Sequence, residues 1–172
     1  MIERLSTSER HGSIRGYFAY EVYNHMVGNK NIFVVAGDLG FGMMDAIKRD
    51  FPERFINVGA AEQSMIGVCI GLAEEGKIPI AYSITPFLLY RPFETINTYI
   101  QGEGSAVKLV GSGRQKDYLH DGSSHWALDD ARIMKNVFTN IEARWPETKE
   151  DIPDLVREMI ETPRPYYVNL KR

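Results

Sequence analysis

Short apolar runs alternate along this chain with longer segments whose apolar residues recur at helical spacing. Ile32-Phe33-Val34-Val35-Ala36 is an unbroken apolar run, the pattern of a strand buried on both faces, and Gly37-Asp38-Leu39-Gly40 follows as a turn. Before it, Ile14, Tyr17, Phe18, Val22 and Met26 supply the apolar positions of a helix that Gly28 closes. The alternation repeats to the end of the chain. It predicts strands over 31–36, 55–58, 78–82, 106–110, 137–143 and 166–170. Between them it predicts helices over 13–27, 44–49, 61–75, 92–100, 127–135 and 151–161, with a polar loop over 111–124. Six strands alternating with helices predict an α/β fold, a mostly parallel six-stranded sheet with helices on both faces.

The 172 residues suit one ordinary domain over 1–172, and 44% hydrophobic with 25% charged content is that of a globular chain with a sizeable core. A net charge of -3 gives no general attraction to nucleic acid or to an anionic membrane. No local basic patch replaces that attraction, so neither is an expected partner. Cys69 is the one cysteine and lies in an apolar helical run, as a packed thiol does rather than a nucleophile or metal ligand. The first ten residues lack an apolar signal core, and the apolar stretch over 78–90 is short and carries Pro79 and Pro86. A cytoplasmic protein is expected.

The run Phe55-Ile56-Asn57-Val58-Gly59-Ala60-Ala61-Glu62-Gln63-Ser64-Met65-Ile66-Gly67 carries the first chemical signal. It places a carboxylate, Glu62, at the mouth of a buried helix that follows a strand. An acidic residue in a first helical turn also serves simply to offset the helix dipole, worth about 0.3–1 kcal/mol. The surrounding residues point further: the segment resembles the pyrimidine-binding domain of the transketolase family, whose thiamine diphosphate enzymes carry a similar Val-Gly-x-x-Glu-Gln-x-Met pattern. The resemblance implies that Glu62 is the cofactor-activating acid, placed to protonate or hydrogen-bond the pyrimidine ring nitrogen.

Two further segments carry the same resemblance in the family's order. In Ser83-Ile84-Thr85-Pro86-Phe87-Leu88-Leu89-Tyr90-Arg91-Pro92 the family pattern places aromatics against the cofactor's ring. The match implies Phe87 as the stacking residue and Tyr90 as the second, with Ile84 replacing another aromatic; aromatic stacking contributes about 0.5–1.5 kcal/mol beyond area burial. In His120-Asp121-Gly122-Ser123-Ser124-His125 the family's Asp-Gly-x-x-His pattern implies that Asp121 and His125 contact sugar hydroxyls, His125 also handling protons. The chain departs from the family at Gly113, where transketolases usually have a histidine facing the donor substrate. Arg172 falls at the family's strand-end arginine, which implies a clamp for a phosphate or sulfonate. Asp38 resembles the family's strand-end aspartate near the cofactor, and is equally a turn-forming residue.

The Gly-Asp-Gly motif and downstream asparagine that hold Mg2+ on the diphosphate in the family are not found, and Gly37-Asp38-Leu39-Gly40 is a poor imitation of them. The resemblance therefore implies a separate partner subunit that binds Mg2+ and the diphosphate. A homodimer of this chain within a heterotetramer is the expected assembly, acting on sugars or sugar phosphates. The implied reaction is transfer of a two-carbon ketol unit from a ketose to an aldose acceptor. The rivals are a beta-type subunit of a 2-oxo acid dehydrogenase or decarboxylase, and a non-catalytic scaffold subunit of the same fold.

Overall fold

A computed structural model describes residues 2–172; Met1 lies outside the described residues. The strands are β1 (Ile32–Ala36), β2 (Phe55–Asn57), β3 (Ile78–Ile84), β4 (Lys108–Ser112), β5 (Glu142–Arg144) and β6 (Tyr166–Leu170). Among the described residues they form one six-stranded sheet in the order β2-β1-β3-β4-β6-β5, and every pairing is parallel. The helices are α1 (Ile14–Gly28), α2 (Asp45–Asp50), α3 (Glu62–Glu74), α4 (Thr85–Tyr90), α5 (Phe93–Thr95), α6 (Asp130–Asn136) and α7 (Ile152–Glu161). A π-helical stretch, Ile96–Gly102, extends α5.

Successive strand residues point to opposite faces, so buried strands must feed two cores. On one face Val34, Ile80, Tyr82, Val110, Tyr166 and Val168 pack with Phe18, Val22 and Met26 of α1 and with Val156 and Met159 of α7. On the other, Val35, Ala81, Leu109 and Tyr167 pack with Met65, Ile66 and Cys69 of α3, with Ile96 and Ile100, and with Met134 of α6. Cys69 is fully buried, and its burial pushes the thiol pKa up. That environment suits a packed thiol.

The ends of the elements follow local chemistry. Ser13 caps α1, its Oγ accepting from the Gly16 N–H at 3.1 Å. At the end of α3, Gly76 takes φ +71°, its N–H bonds the Ala73 carbonyl, and the Lys77 N–H bonds that of Leu72. This is a Schellman closure, for which the left-handed backbone favours glycine.

Two elements differ from the sequence pattern. The strand expected over 137–143 is confined to Glu142–Arg144. Residues 137 and 138 instead finish α6, both N–H groups reaching the Ile133 carbonyl, and the Phe138 ring fills the core beside Leu88 and Ile96. An apolar helix exit and a buried strand look alike over so few residues. Helix α4 starts directly at the end of β3, well ahead of the helix expected from residue 92, with Pro86 in its first turn. Proline there loses no helical hydrogen bond.

Candidate functional site

The carboxyl ends of parallel strands are where open α/β sheets bind ligands, and the chemistry-bearing residues gather there. Ser83 is the penultimate residue of β3, Ser112 ends β4, and Gly37 follows β1. Glu62 opens α3 just beyond the edge strand β2 and is 1% exposed. A buried carboxylate needs partners, and two are present. Ser83 Oγ donates to Oε1 at 2.8 Å, and Arg91 Nη1 donates to Oε2 at 2.6 Å. Gly37 is packed against the same pair: a Cβ there would stand 3.1 Å from Ser83 Oγ and 3.2 Å from Glu62 Oε1.

From Arg91 the contacts run on without a break. Its guanidinium carbon lies 3.9 Å from the centre of the Phe87 ring. The His125 ring meets Phe87 edge-on at 4.8 Å and stands 6.0 Å from the Tyr118 ring. Arg172 covers Tyr118 with its guanidinium carbon 4.6 Å from the ring centre, and reaches Asp121 Oδ2 at 3.8 Å. The Arg172 main-chain N–H is held by Asp117 Oδ2 at 2.9 Å. Of the residues singled out in the sequence, Glu62, Phe87, His125, Asp121 and Arg172 thus belong to one linked cluster.

The others sit apart from it. Tyr90 is half-exposed at the far end of α4, where burial and then the nearby charges of Asp129 and Asp130 raise its phenol pKa. It therefore faces the start of α6 rather than Glu62. Asp38 is exposed, in the left-handed conformation with φ 53°, and its N–H is held by Asn57 Oδ1 at 3.1 Å. Ile84 is half-buried where β3 passes into α4.

Several residues at the site carry no sequence pattern of their own. Ser83 and Arg91 flank the aromatic segment, yet nothing in the spacing marks them as partners of Glu62. Arg15, on α1, donates from Nη1 to Ser112 Oγ at 3.3 Å and to the Tyr118 hydroxyl at 3.2 Å, across 97 and 103 residues of chain. Ser112 Oγ and the Tyr118 hydroxyl share a 2.8 Å hydrogen bond. Tyr118 also accounts for Gly113: a Cβ on Gly113 would collide with the Tyr118 ring. The Gly113 carbonyl accepts from Thr85 Oγ1 at 2.8 Å, which ties this loop to α4.

A buried carboxylate at the carboxyl end of a parallel sheet, beside an aromatic ring and a polar cluster, is the arrangement that the resemblance to the transketolase pyrimidine module implies. Residues 13–172 match the family described as transketolase, pyrimidine binding domain, and the chain belongs to that family. It is 31% identical over 137 residues to a subunit of the apulose-4-phosphate transketolase of Actinobacillus succinogenes, covering 80% of this chain and 44% of that one. It is 33% identical over 144 residues to a putative transketolase C-terminal section of Methanocaldococcus jannaschii, covering 83% of this chain and 45% of that one. The chain therefore spans less than half the length of either relative. Among solved structures, a split-gene transketolase in an inactive beta4 tetramer superposes with a TM-score of 0.81 at 28% identity, covering 93% of this chain and 51% of that one.

Among the described residues no group of three His, Cys, Asp or Glu side chains stands close enough to hold a metal ion. No helix among the described residues is long and apolar enough to cross a membrane.

Proposed function

We propose that this chain is the pyrimidine-side subunit of a split transketolase-like enzyme that transfers a two-carbon ketol unit from a ketose or ketose phosphate to an aldose acceptor. The observation that carries this reading is Glu62, a buried carboxylate held by Ser83 and by Arg91, whose guanidinium stands over the Phe87 ring. That pairing fits a flat heteroaromatic ring with a ring nitrogen, the recognised part of thiamine diphosphate. When bound, thiamine diphosphate supplies the electron sink for carbon–carbon cleavage.

The chain's own residues supply orientation and proton control. Glu62 would exchange a proton or hydrogen bond with the ring nitrogen, Ser83 fixes the carboxylate, and Phe87 would stack on the ring, with Ile84 a flanking apolar contact and Asp38 at the rim; Tyr90, turned towards α6, takes no part. His125 and Asp121 orient substrate hydroxyls, and Arg172 clamps a phosphate or sulfonate. The diphosphate and its Mg2+ belong to a separate partner chain, with a homodimer of this chain at the centre of a heterotetramer. The kinship with a transketolase subunit and a transketolase C-terminal section supports a separate partner chain.

The test mixes this chain with a diphosphate-domain partner, thiamine diphosphate, Mg2+ and a panel of ketose donors, with each protein alone as control. Ketol transfer is expected only in the mixture, and Glu62→Gln should lower it by about 100-fold or more, the range of a lost acid–base group. Cofactor binding without transfer would favour a dehydrogenase or decarboxylase subunit. A complex with neither binding nor turnover would leave a scaffold.

A further inference from the structure

The Arg91 side chain makes, in this structure, the two contacts that an aminopyrimidine ring would need. Its guanidinium is planar, it donates to Glu62 Oε2 at 2.6 Å, and its central carbon stands over Phe87, 3.9 Å from the ring centre. Glu62 Oε1 accepts from Ser83 and Oε2 from Arg91, so a ring nitrogen approaching from the Phe87 side competes with Arg91 for Oε2. A guanidinium and a protonated or hydrogen-bonding pyrimidine share the same recognition chemistry: a flat face for an aromatic partner and an in-plane N–H for a carboxylate. They cannot both hold Oε2 and the same face of Phe87.

We propose that Arg91 is a built-in placeholder for the cofactor's pyrimidine ring: it occupies the ring's position in the free chain and swings out when thiamine diphosphate enters. This rests on the thiamine diphosphate reading above and concerns how that site opens. The geometry allows the exchange. Glu62 is 1% exposed and fixed at the start of α3, whereas the Arg91 side chain is 44% exposed and stands at the end of the short helix α4, beside Pro92. Its outer face already meets solvent, and a long arginine stem can rotate outward without disturbing the core. In the free chain the placeholder keeps the buried carboxylate paired, which a carboxylate with one hydroxyl partner alone would not be. The cofactor therefore binds against a competing internal ligand, and its apparent affinity is reduced by the fraction of chains in which Arg91 is out.

The test is binding of thiamine diphosphate to the chain mixed with its diphosphate-domain partner and Mg2+, by titration calorimetry, comparing wild type, Arg91→Ala, Arg91→Lys and Glu62→Gln, with the partner alone as control. Displacing a partly exposed ion pair together with a cation–π contact predicts that Arg91→Ala binds about tenfold tighter. Arg91→Lys keeps the charge without the planar fork and should fall between. Glu62→Gln should weaken binding. In parallel, the NMR signals of the Arg91 guanidinium should be slowed in exchange in the free wild-type chain, shift on Glu62→Gln, and move to solvent-like values as cofactor saturates. Equal or weaker binding by Arg91→Ala, or an Arg91 signal unmoved at saturation, overturns the placeholder while leaving the cofactor site in place. Failure of both wild type and Arg91→Ala to bind overturns the placeholder and counts against the cofactor reading itself. Thermal unfolding of each variant shows whether the exposed substitution has left the fold intact.

Discussion

At Gly113 the backbone takes φ +88°, a region costly for a residue with a Cβ, and the Tyr118 ring occupies the space into which a side chain would grow. Both effects oppose any substitution. Gly113→His, which would install the residue transketolases usually carry there, is expected to destabilise the chain by about 2–4 kcal/mol, measured as a shift in urea midpoint. Tyr118→Ala should recover only part of that loss in the double variant, because it clears the overlap and leaves the backbone strain; full recovery would show that φ is immaterial. Glu62 was visible from its own neighbours in the sequence, since a strand, a glycine turn and an apolar helix fix where its carboxylate must stand. Arg91 and Ser83 were not, because their importance lies in reaching Glu62 from 29 and 21 residues away.

Asp130 binds one element to two others. It sits at the start of α6, and its Oδ2 accepts from Trp145 Nε1 at 2.8 Å, from the Tyr167 hydroxyl at 2.9 Å and from Asn169 Nδ2 at 2.7 Å. Tyr167 and Asn169 belong to β6, and Trp145 follows the edge strand β5. One carboxylate oxygen thus satisfies three donors, two of them on fully buried residues. Asp130→Ala is expected to cost about 3–5 kcal/mol by stranding those donors, whereas Asp130→Asn should cost less because an amide oxygen can still accept. Denaturant unfolding of both variants checks this, and equal losses would mean that charge rather than hydrogen bonding is the requirement. The same region explains the misplaced strand: Val137, Phe138 and Ile141 have strand-like side chains, but Phe138 and Ile141 are buried with Ile96 and Ile100, and the 137 and 138 N–H groups bond the Ile133 carbonyl in a helix exit. The other five strands and the long helices α1, α3 and α7 were legible because each carries several turns or pleats of consistent pattern.

The molecule as a whole is built on two cores with ionisable groups sealed inside them, and this sets its response to alkali. Burial raises the Tyr82 phenol to about 12 and the Tyr167 phenol well above its ordinary value, and raises the Cys69 thiol likewise. In the unfolded chain these groups lose protons near their ordinary values of 10.0 and 9.0, while the folded chain keeps them. The folded state then binds more protons, so stability falls as pH rises above about 9 to 10. Lys108 acts in the opposite sense: burial lowers its ammonium to about 8, and this one group favours folding as pH rises from there towards 10.5. Two phenols and a thiol outweigh one ammonium. Urea midpoints should decline above about pH 10, and the share of tyrosinate absorbance that comes from the buried tyrosines should appear together with unfolding rather than before it.

The alternation of strands and helices, the burial of strands on both faces and the placing of Glu62 at a helix mouth were all written in short stretches of residues. They follow from periodicity and turn chemistry, which act between neighbours in the chain. The company that Glu62 keeps was not. Parallel pairing brings the ends of β1, β3, β4 and β6 side by side. That pairing sets Arg15 of α1 against Ser112 and Tyr118, and carries Phe87, His125 and Arg172 into one line of contacts. Such contacts depend on crossovers that join distant parts of the chain, and no local pattern records which side chains will meet at their ends.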